Sequence, residues 1–180
     1  MTVVLLANGF EEIEALTPVD VLRRAGVHTV TASINATAEV KGSHGITVIA
    51  DTLASEIDAD ELEALILPGG MPGSLNLDAS AQTDRLLEAA LSSGSRIAAI
   101  CAAPLVLGRR GLLLGKRATC YPGFEHELEG ATVVDAPVVT DGNITTAKGM
   151  GAALPFSLEL VSLLASRENA ENISKGICNG

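Results

Sequence analysis

The chain contains the stretch Arg96-Ile97-Ala98-Ala99-Ile100-Cys101-Ala102-Ala103-Pro104-Leu105, in which an apolar run leads directly into a helix start. Residues 96–100 have the composition of a buried strand, and Pro104 suits a first helical turn, where its missing N–H costs nothing. This pattern places Cys101 at a sharp strand-to-helix turn of the nucleophile-elbow type. Because a helix start favours thiolate over thiol, the pattern predicts a lowered pKa for Cys101. The alternative is a small apolar core residue at a strand end.

Strand-like runs alternate with helical patterns along the rest of the sequence. Strands are predicted over 3–7, 28–33, 65–67, 96–100, 118–119, 132–135 and 144–147, and helices over 13–25, 79–92, 104–111 and 151–165. In the helix over 79–92, the residues expected to face inward are Leu86, Leu87, Ala90 and Leu91. A β-hairpin is predicted near residues 40–50. Strands joined by helix-length connections indicate a mostly parallel sheet between helices, in one α/β domain over residues 1–180.

Composition excludes several classes of function. The chain has 180 residues, 47% of them hydrophobic, and a formal net charge of −10 at pH 7. This charge argues against nucleic acid or an anionic membrane surface as a partner, because both are bound through Lys and Arg. No basic segment precedes the apolar N-terminus and no apolar run is long enough to span a bilayer, so we expect a cytoplasmic protein. Its three cysteines are too widely spaced for a disulfide framework, and the absence of CxxC or HxxxH spacing argues against a metal site.

Three strand-to-helix loops are expected to meet at one edge of the sheet, over residues 7–14, 68–73 and 100–104. In open α/β sheets, ligands bind at the carboxyl ends of the strands. Within the second loop, Gly69 and Gly70 allow backbone N–H groups to approach a developing negative charge. A Pro-Gly-Gly sequence alone is more often a simple turn.

Glu14 is a carboxylate on an apolar helix face. In a helix starting near Glu11, Glu14 shares its side with Pro18, Val21 and Leu22, a stripe that packs against the sheet. Burial raises the pKa of a carboxyl group, and the protonated form can donate a hydrogen bond to a thiolate or move a proton on a substrate. For Glu11 and Glu12, we expect only a favourable interaction with the helix dipole.

Four motifs carry a resemblance to a known family: Gly9-Phe10-Glu11-Glu12-Ile13-Glu14, Pro18-Val19-Asp20-Val21-Leu22-Arg23-Arg24-Ala25-Gly26, Leu67-Pro68-Gly69-Gly70 and Ala98-Ala99-Ile100-Cys101-Ala102-Ala103-Pro104. Their order and spacing resemble the ThiJ/PfpI superfamily, in the branch of the parkinsonism-associated protein deglycase. The resemblance covers nearly the whole chain, from Val3 to about Ala165. It implies a flavodoxin-like sandwich, related to class I glutamine amidotransferase domains and usually found as a homodimer.

The resemblance also assigns roles to residues. It implies that Cys101 is the nucleophile, that Glu14 is its acid/base partner, and that the N–H groups of Gly70 and Ala102 form an oxyanion hole. The other pocket positions that it implies are Gly69, His44, Ala103, Tyr121, Lys148, Gly149 and Met150. Three residues, Glu11, Asp20 and Arg24, match positions at the rim of the site and the dimer interface.

Two positions depart from the family pattern. Tyr121 stands where human-like members have a histidine, and His44 takes the place of a hairpin arginine that could hold anionic ligands. A phenol is a poor base near neutral pH, since its reference pKa is about 10. A peptidase-like Cys-His pair is therefore disfavoured. His126 lies five residues beyond Tyr121 and could reach the rim, although a solvated loop position suits it better.

The resemblance implies two main functions. The first is cofactor-free, cysteine-dependent conversion of α-oxoaldehydes such as methylglyoxal, or deglycation of early adducts on glycated amines. The second is a redox-sensing or chaperone-like role based on oxidation of Cys101. A cysteine peptidase or amidase is the weaker third alternative. Nucleophile elbows are strained, so Cys101 is also predicted to have an unfavourable backbone conformation.

Overall fold

A computed structural model describes residues 1–179. Its strands are β1 (Thr2–Leu6), β2 (Thr29–Ser33), β3 (Glu39–Lys41), β4 (Thr47–Ile49), β5 (Thr52–Leu53), β6 (Ala64–Leu67), β7 (Arg96–Ile100), β8 (Arg117–Ala118), β9 (Thr132–Val133), β10 (Val138–Asp141) and β11 (Ile144–Ala147). Its α-helices are α1 (Glu12–Arg24), α2 (Gly73–Asp78), α3 (Ala81–Ser93), α4 (Pro104–Gly108), α5 (Ala153–Leu164) and α6 (Arg167–Gly176).

Seven strands form the central sheet, in the order β10-β11-β7-β6-β1-β2-β5. All neighbours pair in parallel except β10 and β11, which are antiparallel. The carboxyl ends of β1, β6 and β7 therefore lie side by side at one edge. This architecture is the predicted α/β sandwich and is consistent with a flavodoxin-like fold.

The sheet has an apolar core on each face because its strands are buried on both sides. Along β1, Val3 and Leu5 belong to one core, whereas Val4 and Leu6 belong to the other. The first core is completed by side chains of α3 and α4, and the second by side chains of α1 and α5. Each fully buried aliphatic side chain contributes about 1.5–3 kcal/mol relative to an exposed one. The two cores fix the strand ends from which the site is built.

Most predicted elements are confirmed, including the hairpin, which consists of β3 and β4 in antiparallel register. Three elements were not predicted: β5, β10 and α2, which are short segments without clear periodicity. Helix α4 ends at Gly108, earlier than expected. The inward placement of Leu91 was wrong, because it lies at the edge of the α3 stripe and is largely exposed. No helix within residues 1–179 is long and apolar enough to cross a bilayer.

Candidate active site

Cys101 lies immediately after β7 in a strained backbone conformation. Its φ of 65° is in the left-handed region, which is unfavourable for a residue with a side chain. The Cys101 N–H donates to the Ala147 carbonyl at 2.9 Å, and its carbonyl accepts from the Tyr121 N–H at 2.8 Å. The predicted strain is therefore confirmed. Main-chain hydrogen bonds on both sides of the peptide hold the side chain at the sheet edge.

Glu14 projects from the first turn of α1 into the space beside Cys101. Its side chain is almost completely buried, with 1% of the residue exposed, as its apolar helix face predicts. One carboxyl oxygen, Oε2, accepts a hydrogen bond from the Gly69 N–H at 3.1 Å, and the carboxyl group also hydrogen-bonds the Cys101 side chain. Burial raises the pKa of Glu14 to about 7. The carboxyl group can therefore gain or lose a proton near neutral pH.

Gly69 and Gly70 lie where no side chain fits. A Cβ at Gly69 would overlap the Glu14 carboxylate and the Cys101 side chain. Gly70 has a φ of 92°, and a Cβ there would overlap backbone atoms of the loop that precedes α1. The backbone N–H groups of Gly70 and Ala102 both donate to the Cys101 sulfur. Two backbone donors thus converge on one atom.

The expectation of a lowered Cys101 pKa is wrong while Glu14 is ionised. Burial and the Glu14 carboxylate raise the pKa of the thiol to about 12, although the Ala102 and Gly70 amides oppose this shift. Helix α4 spans only five residues, Pro104–Gly108, so its dipole is too small to reverse the effect. Protonation of Glu14 removes its charge and converts it into a donor, which favours the thiolate. Glu14 and Cys101 therefore form a coupled pair, which loses one proton near pH 7 and retains the other at higher pH.

Gly149 and Tyr121 border the coupled pair on the side of β11. A Cβ at Gly149 would lie 3.3 Å from Cδ2 of the Tyr121 ring and 3.8 Å from Oε1 of Glu14. Lys148 and Met150 flank this glycine and line the adjoining cavity. Ala103, in contrast, is fully buried in the core formed by α3 and α4. The structure thus brings most of the expected pocket residues together and places Ala103 beneath them.

The chain matches the DJ-1/PfpI family over residues 2–163. It belongs to this family. Protein dj-1beta of Drosophila melanogaster is 39% identical over 97% of this chain and 94% of its own length. A deglycase of Pyrococcus abyssi is 35% identical over 89% of this chain and 97% of its own. Among solved structures, oxidized Toxoplasma gondii DJ-1 has a TM-score of 0.94 and 36% identity, covering 98% of this chain and 97% of the other.

In this DJ-1/PfpI chain, His44 contacts two carboxylates of α1 and its N-cap. Its Nδ1 lies 3.0 Å from Glu12 Oε2 and 3.3 Å from Glu11 Oε2, and 3.1 Å from the Ser43 hydroxyl. The hydrogen bond to Glu12, followed by the charges of Glu11 and Glu12, raises the pKa of His44. His44 therefore forms an ion pair with these carboxylates when protonated.

Glu12 has a structural role that the sequence did not predict. It is buried, with 4% exposed, and Oε1 accepts from the backbone N–H groups of His44 at 2.9 Å and Ile46 at 3.4 Å. Burial opposes ionisation, but hydrogen bonds from His44 and these amides lower the pKa of Glu12 to about 2. Glu12 thus fastens the hairpin turn to α1. The spacing of Glu12 and the turn in the sequence gave no signal of this contact.

Possible ligand atoms of Glu11, Glu12 and His44 lie within 4.8 Å of one another. Hydrogen bonds from the protein itself already occupy them. On the exposed side of α1, Arg24 donates to Asp20 at 2.7 Å, one helical turn away. The Asp20–Arg24 pair therefore lies on the helix that begins at the DJ-1/PfpI site.

Proposed function

We propose that this protein converts α-oxoaldehydes such as methylglyoxal to 2-hydroxy acids, and removes early glycation adducts from amines, through Cys101 and without a cofactor. One observation carries the proposal: a buried carboxyl group with a pKa of about 7 hydrogen-bonds a cysteine at which two backbone N–H groups converge. This arrangement supplies a nucleophile, an acid/base group and donors for an oxyanion. The deglycase of Pyrococcus abyssi supports the same reaction class.

In the first step, the Cys101 thiol passes its proton to the Glu14 carboxylate, and the resulting thiolate attacks the aldehyde carbon. A C–S bond forms, and the carbonyl electrons move to the oxygen. The N–H groups of Gly70 and Ala102, which already point at the sulfur, are placed to donate to that oxyanion. Transfer of the Glu14 proton to the oxygen yields a neutral hemithioacetal and leaves Glu14 as a carboxylate.

In the second step, the Glu14 carboxylate accepts the proton from the former aldehyde carbon, and the electron pair of that C–H bond forms an enediolate with its charge on the neighbouring oxygen. The hydroxyl proton moves to that oxygen, Glu14 returns its proton to the adjacent carbon, and the product is a 2-hydroxyacyl thioester of Cys101. Its pKa of about 7 suits both directions of transfer near neutral pH. Water hydrolyses the thioester to a 2-hydroxy acid, which is lactate from methylglyoxal, and the proton returns to the pair.

Deglycation needs the same groups. The thiolate attacks the carbonyl-derived carbon of an early adduct, the C–N bond breaks, and the amine leaves with a proton from Glu14. The resulting hemithioacetal then follows the steps described above. The free aldehyde and the glycated amine therefore form the same hemithioacetal with Cys101.

The decisive experiment is lactate formation from methylglyoxal by the purified protein without added thiol. We expect turnover that falls by at least about 10²-fold in Cys101→Ser and in Glu14→Gln. Cys120→Ser is the matched control, since Cys120 is a second free, buried cysteine. Turnover that is absent across neutral pH, or equal in Cys101→Ser and the parent, would contradict the proposal.

Redox sensing is the second candidate, and the oxidized Toxoplasma gondii DJ-1 structure favours it. In this chain, a protonated Glu14 could donate to an oxygen added to the Cys101 sulfur. Such a sensor would gain two oxygens confined to Cys101 under mild peroxide, with little turnover of methylglyoxal. Intact-protein and peptide mass spectrometry would measure this change.

A peptidase or amidase gains no support from the site. The His44 ring contacts Glu11, Glu12 and the Ser43 hydroxyl. His126 is exposed and lies 3.5 Å from Glu127. Neither contact supplies the base that such a reaction requires.

We also propose that two copies associate through α1 and the hairpin. Four apolar side chains there are exposed: Ile13, Leu16, Ile46 and Ile49. An apolar patch of this kind on a protein surface is typical of an interaction site. Ile13, Leu16 and Ile46 line one groove. Asp20 and Arg24 line it as well and would form its polar rim. All three cysteines are free, which is typical of a reducing compartment and supports a cytoplasmic location.

A further inference from the structure

A cavity of about 610 Å³ adjoins the coupled pair, and none of its lining groups takes part in the proposed proton transfers. Its walls include Tyr121, Pro137, Gly149 and Met150, with Lys148 and Asp135 among them. Cavities of about 300–1,000 Å³ enclose ligands of drug-like size. A small aldehyde such as methylglyoxal fills only a fraction of this space.

Gly149 lines the cavity and also lies next to Glu14. Because this residue has no side chain, the space between the Tyr121 ring and Oε1 of Glu14 stays open; a Cβ would lie 3.3 Å from the former and 3.8 Å from the latter. The Tyr121 backbone also donates to the Cys101 carbonyl at 2.8 Å. A substrate held at Cys101 can therefore extend past Gly149 into the cavity.

The walls are mainly apolar. Tyr121 is 50% exposed and Met150 is 54% exposed, although both are large side chains of the kind that are usually buried. A flexible methionine beside an aromatic ring adapts to apolar groups of different shape. These two side chains suit an aliphatic or aromatic group on the substrate.

One ion pair lies in this otherwise apolar wall, between Lys148 and Asp135. Of the two side chains, Asp135 is the more exposed, so Lys148 lies deeper in the groove than Asp135. When a carbonyl compound adds to the α-amine of an amino acid, the amine becomes less basic and the carboxylate remains as the main charge. Lys148 has the charge that complements this carboxylate.

We propose that this groove binds the amine component of a glycated substrate, and that it selects adducts on the α-amine of an amino acid with an apolar side chain. The apolar side chain packs between Tyr121 and Met150, and the carboxylate pairs with Lys148. This inference rests on the proposed deglycation and names its substrate class.

Binding of a stable analogue tests the groove without turnover. N-lactoyl-L-phenylalanine, N-lactoylglycine and N-lactoyl-L-phenylalaninamide would be titrated into the full chain by calorimetry. We expect the phenylalanine compound to bind at least about tenfold more tightly than the glycine compound, since it buries an aromatic side chain. We also expect it to bind several-fold more tightly than its amide. Equal dissociation constants for the phenylalanine and glycine compounds would overturn the proposal.

Two variants separate the apolar and the charged contact. Met150→Ser should reduce the preference for the phenylalanine compound over the glycine compound to below about threefold in dissociation constant. Lys148→Met should abolish the preference for the phenylalanine compound over its amide and retain the preference for the phenylalanine compound over the glycine compound. Leu114→Ser, which removes an apolar side chain that is similarly exposed outside the groove, should retain both ratios. If Met150→Ser kept the full aromatic preference, the assignment of this residue would be wrong.

The two proposals fail separately. A protein that binds the phenylalanine compound preferentially but does not convert methylglyoxal would retain the groove and contradict the proposed reaction. A protein that converts methylglyoxal but binds all three compounds equally would retain the reaction and contradict the groove.

Discussion

Glu14 hydrogen-bonds the Cys101 side chain from a position with 1% of the residue exposed, so the two groups titrate together. Each disfavours the negative charge of the other, because both are buried and close. The pair therefore retains the thiol proton well above neutral pH and loses the Glu14 proton near pH 7. This proton links the reactivity of the thiol to the state of the carboxyl group.

Replacing Glu14 by Gln should lower the pH at which Cys101 becomes reactive. The Glu14 carboxylate is one of the causes that raise the thiol pKa to about 12, and glutamine carries no charge. The rate of alkylation by iodoacetamide, followed from pH 6 to 10 by mass spectrometry, should keep rising in the parent and reach its midpoint at lower pH in Glu14→Gln. Glu88→Gln, on the exposed side of α3, is the control. An unchanged or higher midpoint would show that the two groups are not coupled.

Glu14 should also make folding less favourable as the pH rises. Its pKa is raised from 4.5 to about 7 in the folded protein, so the native state binds more protons than the unfolded state between these values. The contribution to stability is complete below pH 4.5 and is lost as the pH rises through 7. Glu14→Gln should therefore match the parent near pH 4.5 and exceed it at pH 8, by up to about 3 kcal/mol in the free energy of unfolding. Urea unfolding at the two pH values would measure this, and an equal difference at both would contradict it.

Gly69→Ala should impair the reaction more than it impairs folding. The new methyl group would overlap the Glu14 carboxylate and the Cys101 side chain, which must move apart. We expect at least about a tenfold loss in kcat/KM for methylglyoxal, since displaced reacting groups lose their alignment. Gly176→Ala adds a methyl group where nothing lies within 4 Å and serves as control. Parent-like turnover in Gly69→Ala would mean that the contact between residues 14 and 101 is dispensable.

Glu12→Ala should loosen the hairpin turn. The substitution leaves the His44 and Ile46 amides without their acceptor and removes the partner of the His44 ring. Loss of these bonds should cost about 1–3 kcal/mol in the free energy of unfolding at neutral pH. Hydrogen exchange should become faster at the His44 amide, with the β1 amides as an internal reference. Unchanged protection at His44 would contradict the assigned role.

Ile13→Asp should weaken association of two copies. Ile13 is about half exposed on α1, in the groove that also contains Leu16 and Ile46, and a carboxylate there would have to be desolvated in the interface. Sedimentation equilibrium should give a dimer for the parent and a shift towards monomer for the variant. Leu114→Asp, on another exposed apolar residue, should leave the assembly unchanged. A parent that sediments as a monomer would refute the dimer directly.

The periodicity of the sequence predicts the parallel sheet and the strand-to-helix turn at Cys101 because local patterns determine both. It also predicts that Glu14 is buried, since the neighbours one helical turn away are apolar. It does not predict the thiol pKa, because that depends on the distance to a carboxylate 87 positions away in the chain. Similarly, the role of Glu12 arises from a turn more than 30 residues distant, which no local pattern reports. Strand β10 was not predicted because it is short, with four residues at the edge of the sheet, and its hydrophobic alternation is weak.

The main-chain hydrogen bonds on either side of Cys101 come from Ala147 and Tyr121, two residues whose side chains do not make those bonds. Cys101 is thus positioned by the peptide framework, and the chemical nature of the surrounding walls can vary independently of it. The side chain at position 121 can therefore differ without displacing the sulfur, because only the main chain of Tyr121 bonds to Cys101. Related sequences can therefore differ in the side chains around the site, and so in the substrates they bind, while the Cys101 sulfur keeps its position.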